Sequence, residues 1–513
     1  MVRPKSSPRL RPARRAVPLL VGVAALVLYA LTAPPGLTWA HDGADGGDLI
    51  AAAMTGGVPH PSGYPTYCLA GRLFALLPLG TVAHRFALFS AVAAAGAVGL
   101  VCWSAQRLLS GGPGGCSWRT SVAAAVAALL VATGPIYWSQ AIIAEVYALN
   151  ALCFALCLSL ALHPPVRPGG RWAAGLALGL GLGNHLTLAL ALPGLAILAW
   201  PSAPRRSWRS AALPCAGLAL GLAVYAYLPL AARRDPPIIW GDPRTWEGFA
   251  ALVTARLYRP YVLGVPRALL PARLVAWAGL WGQQLTWPGV ALALLGASAW
   301  LEDGHRRPLF GTALLVAAYS AYAVSYDTTD SYVYLIPTYL VAALWMARGA
   351  AAVLAWAEGL VMWRQRWARL AVAVGLVVLP TFAAVRHAPA LSLRQDREAV
   401  AWLDGVTGRV PRDALLITLQ DGHTFALAYA QWVEERRDDL IVVDGDLLAH
   451  PWYRRHLGRR YPALALPDGG TVGALVAANL PHRPVFLGSL RDGLTNGLDV
   501  VPEGLVWRVT RGG

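Results

Sequence analysis

The sequence predicts a polytopic α-helical membrane protein of about eleven transmembrane helices, followed by a small C-terminal extracytoplasmic α/β domain. Three observations predict it. The 513 residues are 56% hydrophobic and only 14% charged, whereas soluble domains carry about a quarter charged residues. Arginines punctuate long apolar runs instead of gathering on one stripe. The apolar runs stop near Ala388, and short helix-like and strand-like segments alternate after it, as in a layered α/β unit.

A basic tail, 1–15, precedes the first apolar run at 16–33. That run is close to the ~20 residues a bilayer crossing needs. No small-residue cleavage site precedes Pro34-Pro35, so the segment reads as a retained signal anchor with the tail in the cytoplasm. Further spans are expected at 85–106, 120–134, 147–162, 172–184, 186–200, 211–230, 286–301, 310–325, 335–356 and 370–386. The run Trp172–Trp200 is too long for one ordinary span, and Gly183-Asn184-His185 divides it in two. One long tilted helix is the competing reading.

Counted from a cytoplasmic start, the inside connections hold Arg107 and Arg119, Arg167 and Arg171, Arg205, Arg206 and Arg209, Arg306 and Arg307, and Arg364, Arg366 and Arg369. The outside connections 135–146, 184–185 and 326–334 hold no Arg or Lys, as the positive-inside rule requires. Two outside stretches differ from these. Loop 34–84 is long, and long loops are usually functional; Leu49–Met54 and Tyr67–Leu77 read as short interfacial helices within it. Stretch 231–285 breaks the charge pattern with Arg233, Arg234, Arg244, Arg256, Arg259, Arg267 and Arg273. Binding a lipid phosphate is one reason for arginines there.

The transmembrane domain is thus expected over 16–387 and the α/β domain over 388–513. Helices are expected at 393–406, 424–435 and 447–457, and strands at 414–419, 440–443, 484–487 and 505–509. After an odd number of spans this domain lies outside, and the protein sits in the cell (inner) membrane. Six cysteines, Cys68, Cys102, Cys116, Cys153, Cys157 and Cys215, all fall in the membrane half. Cys153 and Cys157 have helical spacing in an apolar run without paired histidines, so all six read as small buried hydrophobes. The net charge of +16 carries no nucleic-acid signal, because basic stripes and base-stacking motifs are missing.

The polar clusters nearest the spans all fall on the outside: Asp45, Asp48 and His60; Glu145; Asn184 and His185; Asp242; Asp327 and Asp330. Ionisable groups beside apolar spans are costly and point to function. Two carboxylates and an imidazole in one loop suit acid/base work on a substrate arriving through the bilayer. Each residue also has a structural reading. Asp48 stands where it would cap a helix, and Asp45 suits an Asx turn. Asp42, Asp45 and Asp48 suit a divalent cation, though less well than a DxD spacing would; no metal is the favoured reading. Glu145 suits a structural carboxylate, His185 a backbone-bonding role at a helix break, and Asp242-Pro243 a turn.

Asp45-Gly46-Gly47-Asp48-Leu49-Ile50 followed by Pro59-His60-Pro61-Ser62-Gly63-Tyr64-Pro65 resembles the signature of the transmembrane O-mannosyltransferase-like family, formerly a domain of unknown function shared by many bacterial membrane proteins. Further matching strings are Tyr137-Trp138-Ser139-Gln140 through Glu145 to Asn150, Gly181-Leu182-Gly183-Asn184-His185, Trp240-Gly241-Asp242-Pro243-Arg244-Thr245, Leu419 to Phe425 and Pro451-Trp452-Tyr453. The resemblance covers nearly the whole chain. It implies a branch of the GT-C glycosyltransferases, which take a sugar from a polyprenyl-phosphate carrier on the outer face. The family's first-loop acid, the usual candidate base, falls on Asp45 or Asp48. The second acidic position is Asp here where relatives often have Glu, about one methylene shorter in reach.

The resemblance thus implies a transferase whose donor is a polyprenyl-phosphate-linked sugar and whose acceptor is a protein or glycan. Asp45 is preferred as base because Asp48 has a ready capping role. Gly46-Gly47 would let backbone approach a ligand. His60, Tyr64, Glu145, Asn184, His185, Asp242, Arg244 and Arg256 are the candidate substrate-binding residues, with Arg244 and Arg256 chosen for the donor phosphate. Two other classes compete. A flippase or transporter for a lipid-linked glycan would explain the broken span at Asn184, but the charges gather at one face and no repeated halves are seen. A non-catalytic envelope assembly protein would use the outer domain for partner binding.

Overall fold

A computed structural model describes residues 16–111, 117–165, 167–200, 208–359, 365–493 and 495–510. The basic tail, Cys116, Arg205, Arg206 and Arg364 lie outside the described residues. Helix α1 is Val17–Thr32. The long first loop follows, with a 3-10 turn at Ala40–Asp45 and helices α2, Gly46–Thr55, and α3, Pro65–Phe74. The next helices are α4, Val82–Leu109; α5, Trp118–Ala132; α6, Pro135–Ala141; α7, Val146–Leu162; and α8, Pro168–Leu182. A 3-10 segment, Leu186–Ala191, leads into α9, Leu192–Ala199. Then come α10, Trp208–Leu222; α11, Tyr227–Ala232; α12, Trp246–Val253; α13, Leu270–Glu302; α14, Arg306–Ser325; α15, Ile336–Gly359; and α16, Gln365–Leu391.

A helix stands at every predicted span. Among the described residues five are long and apolar enough to cross a membrane: Val82–Leu109, Ala212–Ala232, Arg306–Ser325, Ser331–Gly359 and Leu370–Leu391. The pair α5 and α6, bent by 70°, makes a sixth if counted as one span. The shorter helix α1 has an apolar outward face. Leu19, Leu20, Val23, Val27 and Leu31 of α1 are exposed while Val21, Ala25 and Tyr29 are buried, the pattern of a helix with one face to lipid and one to protein. Helices α8 and α10 meet through small residues: a Cβ on Gly179 would lie 2.5 Å from the Leu218 carbonyl oxygen.

The bend after α5 leaves backbone groups without helical partners. Gln284 of α13 meets them. Its Oε1 accepts from the Ile136 and Tyr137 N–H groups at 2.9 and 3.1 Å, and its Nε2 donates to the Val131 carbonyl at 2.9 Å.

The stretch 231–285 is not a loop throughout. Helix α13 begins at Leu270, with a proline in its first turn, and breaks at Thr286 before Pro288. A run of helix-forming Leu, Ala and Trp residues, with Arg273 the only charge, extends the helix one arm earlier than hydropathy alone suggests. Arg273 is therefore a helix residue. It donates to the Tyr326 and Thr328 carbonyls, both at 3.2 Å, and to Ser331 Oγ at 3.1 Å. Not every cysteine is a buried hydrophobe: Cys68, Cys102 and Cys157 are buried, Cys153 is half-buried and Cys215 is exposed.

The C-terminal part runs α17, Glu398–Thr407; β1, Leu415–Thr418; α18, Asp421–Trp432; β2, Ile441–Asp444; α19, Pro451–Arg460; α20, Val472–Asn479; β3, Val485–Leu487; β4, Val500–Glu503; and β5, Val506–Val509. The sheet order is β2-β1-β3-β5-β4. The first three strands are parallel, with Leu415 beside both Ile441 and Val485; β5 then runs antiparallel to β3 and β4. All four residues of β1 are buried, as a central parallel strand requires. Its carboxyl end delivers the N-terminus of α18, the end at which α/β sheets present ligand-binding loops.

Helix α18 lies against the first loop of the membrane part. A Cβ on Gly47 would sit 2.3 Å from the Phe425 carbonyl oxygen, so only glycine permits this contact. Trp39 Nε1 donates to the Gly422 carbonyl at 3.1 Å, and the Trp39 ring packs beside His423 and Trp402. The close approach at Gly47 is thus to the C-terminal helix, and not to a ligand.

Candidate active site

Asp45 closes the 3-10 turn and precedes α2, with no side-chain hydrogen bond to that helix. Its carboxylate is left free to face a cavity of about 740 Å3, whose wall includes Asp42, Asp45, His60, Tyr64, His185 and Asp421. Asp48, one turn on, points the other way. Its Oδ2 accepts from the His60 backbone N–H at 2.9 Å and lies 2.8 Å from His60 Nδ1. Its Oδ1 accepts from Trp240 Nε1 at 3.1 Å. Three donors compensate a carboxylate that is only 2% exposed. Asp48 therefore does not cap its helix; it orients His60.

The other ring nitrogen of His60, Nε2, lies 3.4 Å from Asp45 Oδ2. One imidazole thus joins a buried carboxylate to one that faces the cavity. Burial alone would lower the His60 pKa, but Asp45, then Asp48 and Glu145, outweigh it and push it up to about 9. At neutral pH His60 is an imidazolium with a proton for each carboxylate. The Asp45 pKa is raised, first by its depth in the cleft and then, against the pull of His60, by Asp48 and Asp330. With 41% of its side chain still reached by solvent, Asp45 keeps access to a substrate while being a stronger base than an ordinary carboxylate.

Trp240 reaches Asp48 because two loops are joined edge to edge. Val58 N–H donates to the Ile238 carbonyl at 2.8 Å, and Trp240 N–H to the Val58 carbonyl at 3.1 Å. A Cβ on neighbouring Gly57 would stand 2.5 Å from the Ile238 oxygen, so the joint needs a glycine.

The remaining candidates separate into those that line the cavity and those that do not. Tyr64 lines it, donates to the Pro61 carbonyl at 2.8 Å, and sets its ring 5.1 Å from His60 and 6.0 Å from His185. His185 lines it too. Its Nδ1 accepts from the Thr187 N–H at 3.2 Å, which leaves the proton on Nε2. Burial, then His60, lowers its pKa to about 4, so it is neutral.

Glu145 and Asn184 are buried behind the wall. Glu145 Oε2 accepts from the Val146 N–H at 3.2 Å, and Asn184 Nδ2 donates to the Val146 carbonyl at 3.1 Å. They hold the start of α7.

Asp242, Arg244 and Arg256 are not in the wall. Arg244 Nε donates to Asp242 at 2.6 Å, and Arg455 of α19 reaches the same carboxylate at 3.5 Å. This cluster ties the loop to the C-terminal part. Arg256 faces Glu247 at 3.4 Å in an exposed pair, a contact worth about 0–1 kcal/mol.

The arginine in the wall is Arg259, joined by Tyr147, Tyr258, Tyr326, Tyr334, Asp330 and Asp421. The Tyr258-Arg259-Pro260-Tyr261 string signals this site in the sequence, as aromatic residues beside a cation between apolar runs. Among the described residues no three His, Cys, Asp or Glu side chains converge as a metal site needs. Asp48 turns away from Asp42 and Asp45 into His60 and Trp240, which breaks up the triad their spacing allows.

Known proteins resemble this chain over most of its length. A family model described as protein O-mannosyl-transferase TMEM260 N-terminal domain matches residues 45–207. Another, TMEM260-associated domain 2, matches 398–467. Protein O-mannosyl-transferase TMEM260 of Mus musculus is 24% identical over 504 residues, covering 91% of this chain and 69% of that one. Among solved structures, ArnT from Cupriavidus metallidurans bound to undecaprenyl phosphate shares the fold at 14% identity, with a TM-score of 0.52 over 98% of each chain. The archaeal oligosaccharyltransferase AglB from Archaeoglobus fulgidus, in complex with an inhibitory peptide and a dolichol-phosphate, shares it at 12% identity and a TM-score of 0.52, over 94% of this chain and 70% of that one. The first matched residue is Asp45, and both matched regions contribute to one cavity: over 45–207 and 398–467 the chain is similar to the TMEM260 family, and it shares its fold with ArnT and AglB.

Proposed function

We propose that this integral membrane protein moves a sugar, mannose or another hexose, from a polyprenyl-phosphate carrier to a hydroxyl of a protein or glycan on the outer face of the cell membrane. The observation that carries the proposal is the Asp48–His60–Asp45 chain ending in a carboxylate at the cavity wall. The acceptor hydroxyl gives its proton to Asp45 as its oxygen bonds to the anomeric carbon. The bond from that carbon to the phosphate oxygen breaks, and polyprenyl phosphate leaves with the electron pair. A positioned general base contributes about 10²–10⁴-fold to such a step. Arg259, rather than Arg244 or Arg256, is the arginine suited to the donor phosphate, since it lines the cavity and its guanidinium makes no hydrogen bond or ion pair among the described residues.

The ArnT and AglB complexes carry polyprenyl-type phosphates, which supports a lipid-linked donor. The relative's O-mannosyl-transferase name supports mannose. The test is purified protein with radiolabelled polyprenyl-phosphate sugars. Transfer of label to a hydroxyl acceptor or to water is expected. Movement of the intact donor between leaflets without transfer would make the protein a flippase, and neither outcome would leave a binding role.

A further inference from the structure

Six charged side chains stand in the cavity wall. Four are carboxylates, Asp42, Asp45, Asp330 and Asp421; against them are Arg259 and the His60 imidazolium. Two of the carboxylates are engaged. Asp45 faces His60, and Asp42 accepts from the Tyr332 hydroxyl at 2.5 Å. Asp330 and Asp421 make no side-chain hydrogen bond or ion pair among the described residues. They come from separate parts of the chain, Asp330 from the turn before α15 and Asp421 from the first residue of α18. The field of Asp330 raises the pKa of Asp45, and the field of Asp45 raises that of Asp421.

A second feature of the same wall calls for a polar ligand. His185 is 8% exposed. Its Nδ1 is occupied by Thr187, and its Nε2–H has no protein partner among the described residues. Around it stand tyrosine rings. Tyr334 lies 6.0 Å from His185 and 5.1 and 5.2 Å from Tyr322 and Tyr326. Aromatic faces attract cations as well as sugar rings.

We propose that this cavity selects a hydroxyl acceptor carried on a positively charged peptide segment, with Asp421 and Asp330 receiving the charges that flank the hydroxyl. The proposal rests on the transferase reading above. Unpaired carboxylates at a concave wall concentrate cations and repel anions, and like-charge contact works against the wrong partner. Two free carboxylates on separate elements of the wall that holds Asp45 suit an extended chain with charges before and after its hydroxyl. A peptide supplies that arrangement. Asp421 would make the C-terminal part a component of acceptor choice.

Binding to the full-length protein in nanodiscs tests this apart from turnover. The probes are a serine peptide with lysines on both sides of the serine and its glutamate counterpart. At low salt the lysine peptide should bind about tenfold tighter or better, and the preference should fade as salt rises. The pair Asp330→Asn and Asp421→Asn should bring the ratio near one, and Asp421→Lys should turn it toward the glutamate peptide. Equal binding of the two peptides by the unaltered protein, or an unchanged ratio in the double variant, overturns the proposal. Donor turnover is measured separately. Peptide selectivity without any sugar transfer would strike the transferase reading and leave the charge selection standing.

Discussion

His60 is held from both sides, and the two sides differ in what they see. Asp48 is buried and fixes the ring; Asp45 faces the cavity and is fixed by it. The pH profile follows from these shifts. Asp45 has a raised pKa, so transfer should fall as the pH drops, with a midpoint above the ordinary carboxylate value of about 4. His60 titrates near 9, so a second, alkaline limb should appear there as the imidazolium is lost. Asp48 raises the His60 pKa, so Asp48→Asn should move the alkaline limb to lower pH; an unmoved limb would uncouple His60 from the reaction. For the donor, Arg259→Gln should raise its KM about tenfold or more. Arg256→Gln should leave KM unchanged, because its pairing with Glu247 is on the surface.

At the scale of elements, the site depends on helix α18 docking on α2. Gly47→Ala would drive a methyl group into the Phe425 carbonyl. Overpacking of this kind costs about 1–3 kcal/mol, so the melting temperature should fall and transfer should fall with it. Loss of neither would mean that the two helices can part freely.

The helices themselves were legible in the sequence, because apolar runs and breaks such as Gly183-Asn184-His185 are local signals. So were β1 and β2, which are short continuous apolar runs. Helix α20 and strand β4 carry no such signal. The first is a short Val-Gly-Ala-Leu stretch beside glycines, and the second contains Pro502 at the sheet edge, where a missing N–H is tolerated. The arm of α13 before Thr286 reads as loop in the sequence because hydropathy marks spans, not helices. Within the site, Asp45, Asp48 and His60 shared one string, so their grouping was visible. Which acid faces the cavity was not, since it depends on Trp240, which lies 192 residues away. In the sequence Arg259 stands apart from Arg244 and Arg256 only by its tyrosine neighbours; the fold adds that the other two have acidic partners.

For the whole molecule, the first loop, the loop around Trp240 and the C-terminal part meet at one end of the helical bundle, so all three must lie on the same side of the membrane. A reporter fused after Gly513 should be active only if it works outside the cytoplasm; cytoplasmic activity would put Asp421 and the proposed outer site on the wrong face. The central claim is that Asp45 is the base of a lipid-linked sugar transfer. The most direct measurement compares single-turnover transfer from a polyprenyl-phosphate sugar by the unaltered protein and by Asp45→Asn, which keeps the shape and removes the charge. Transfer should fall about 10²–10⁴-fold while donor binding and melting temperature stay the same. Near-normal transfer by Asp45→Asn would contradict the account.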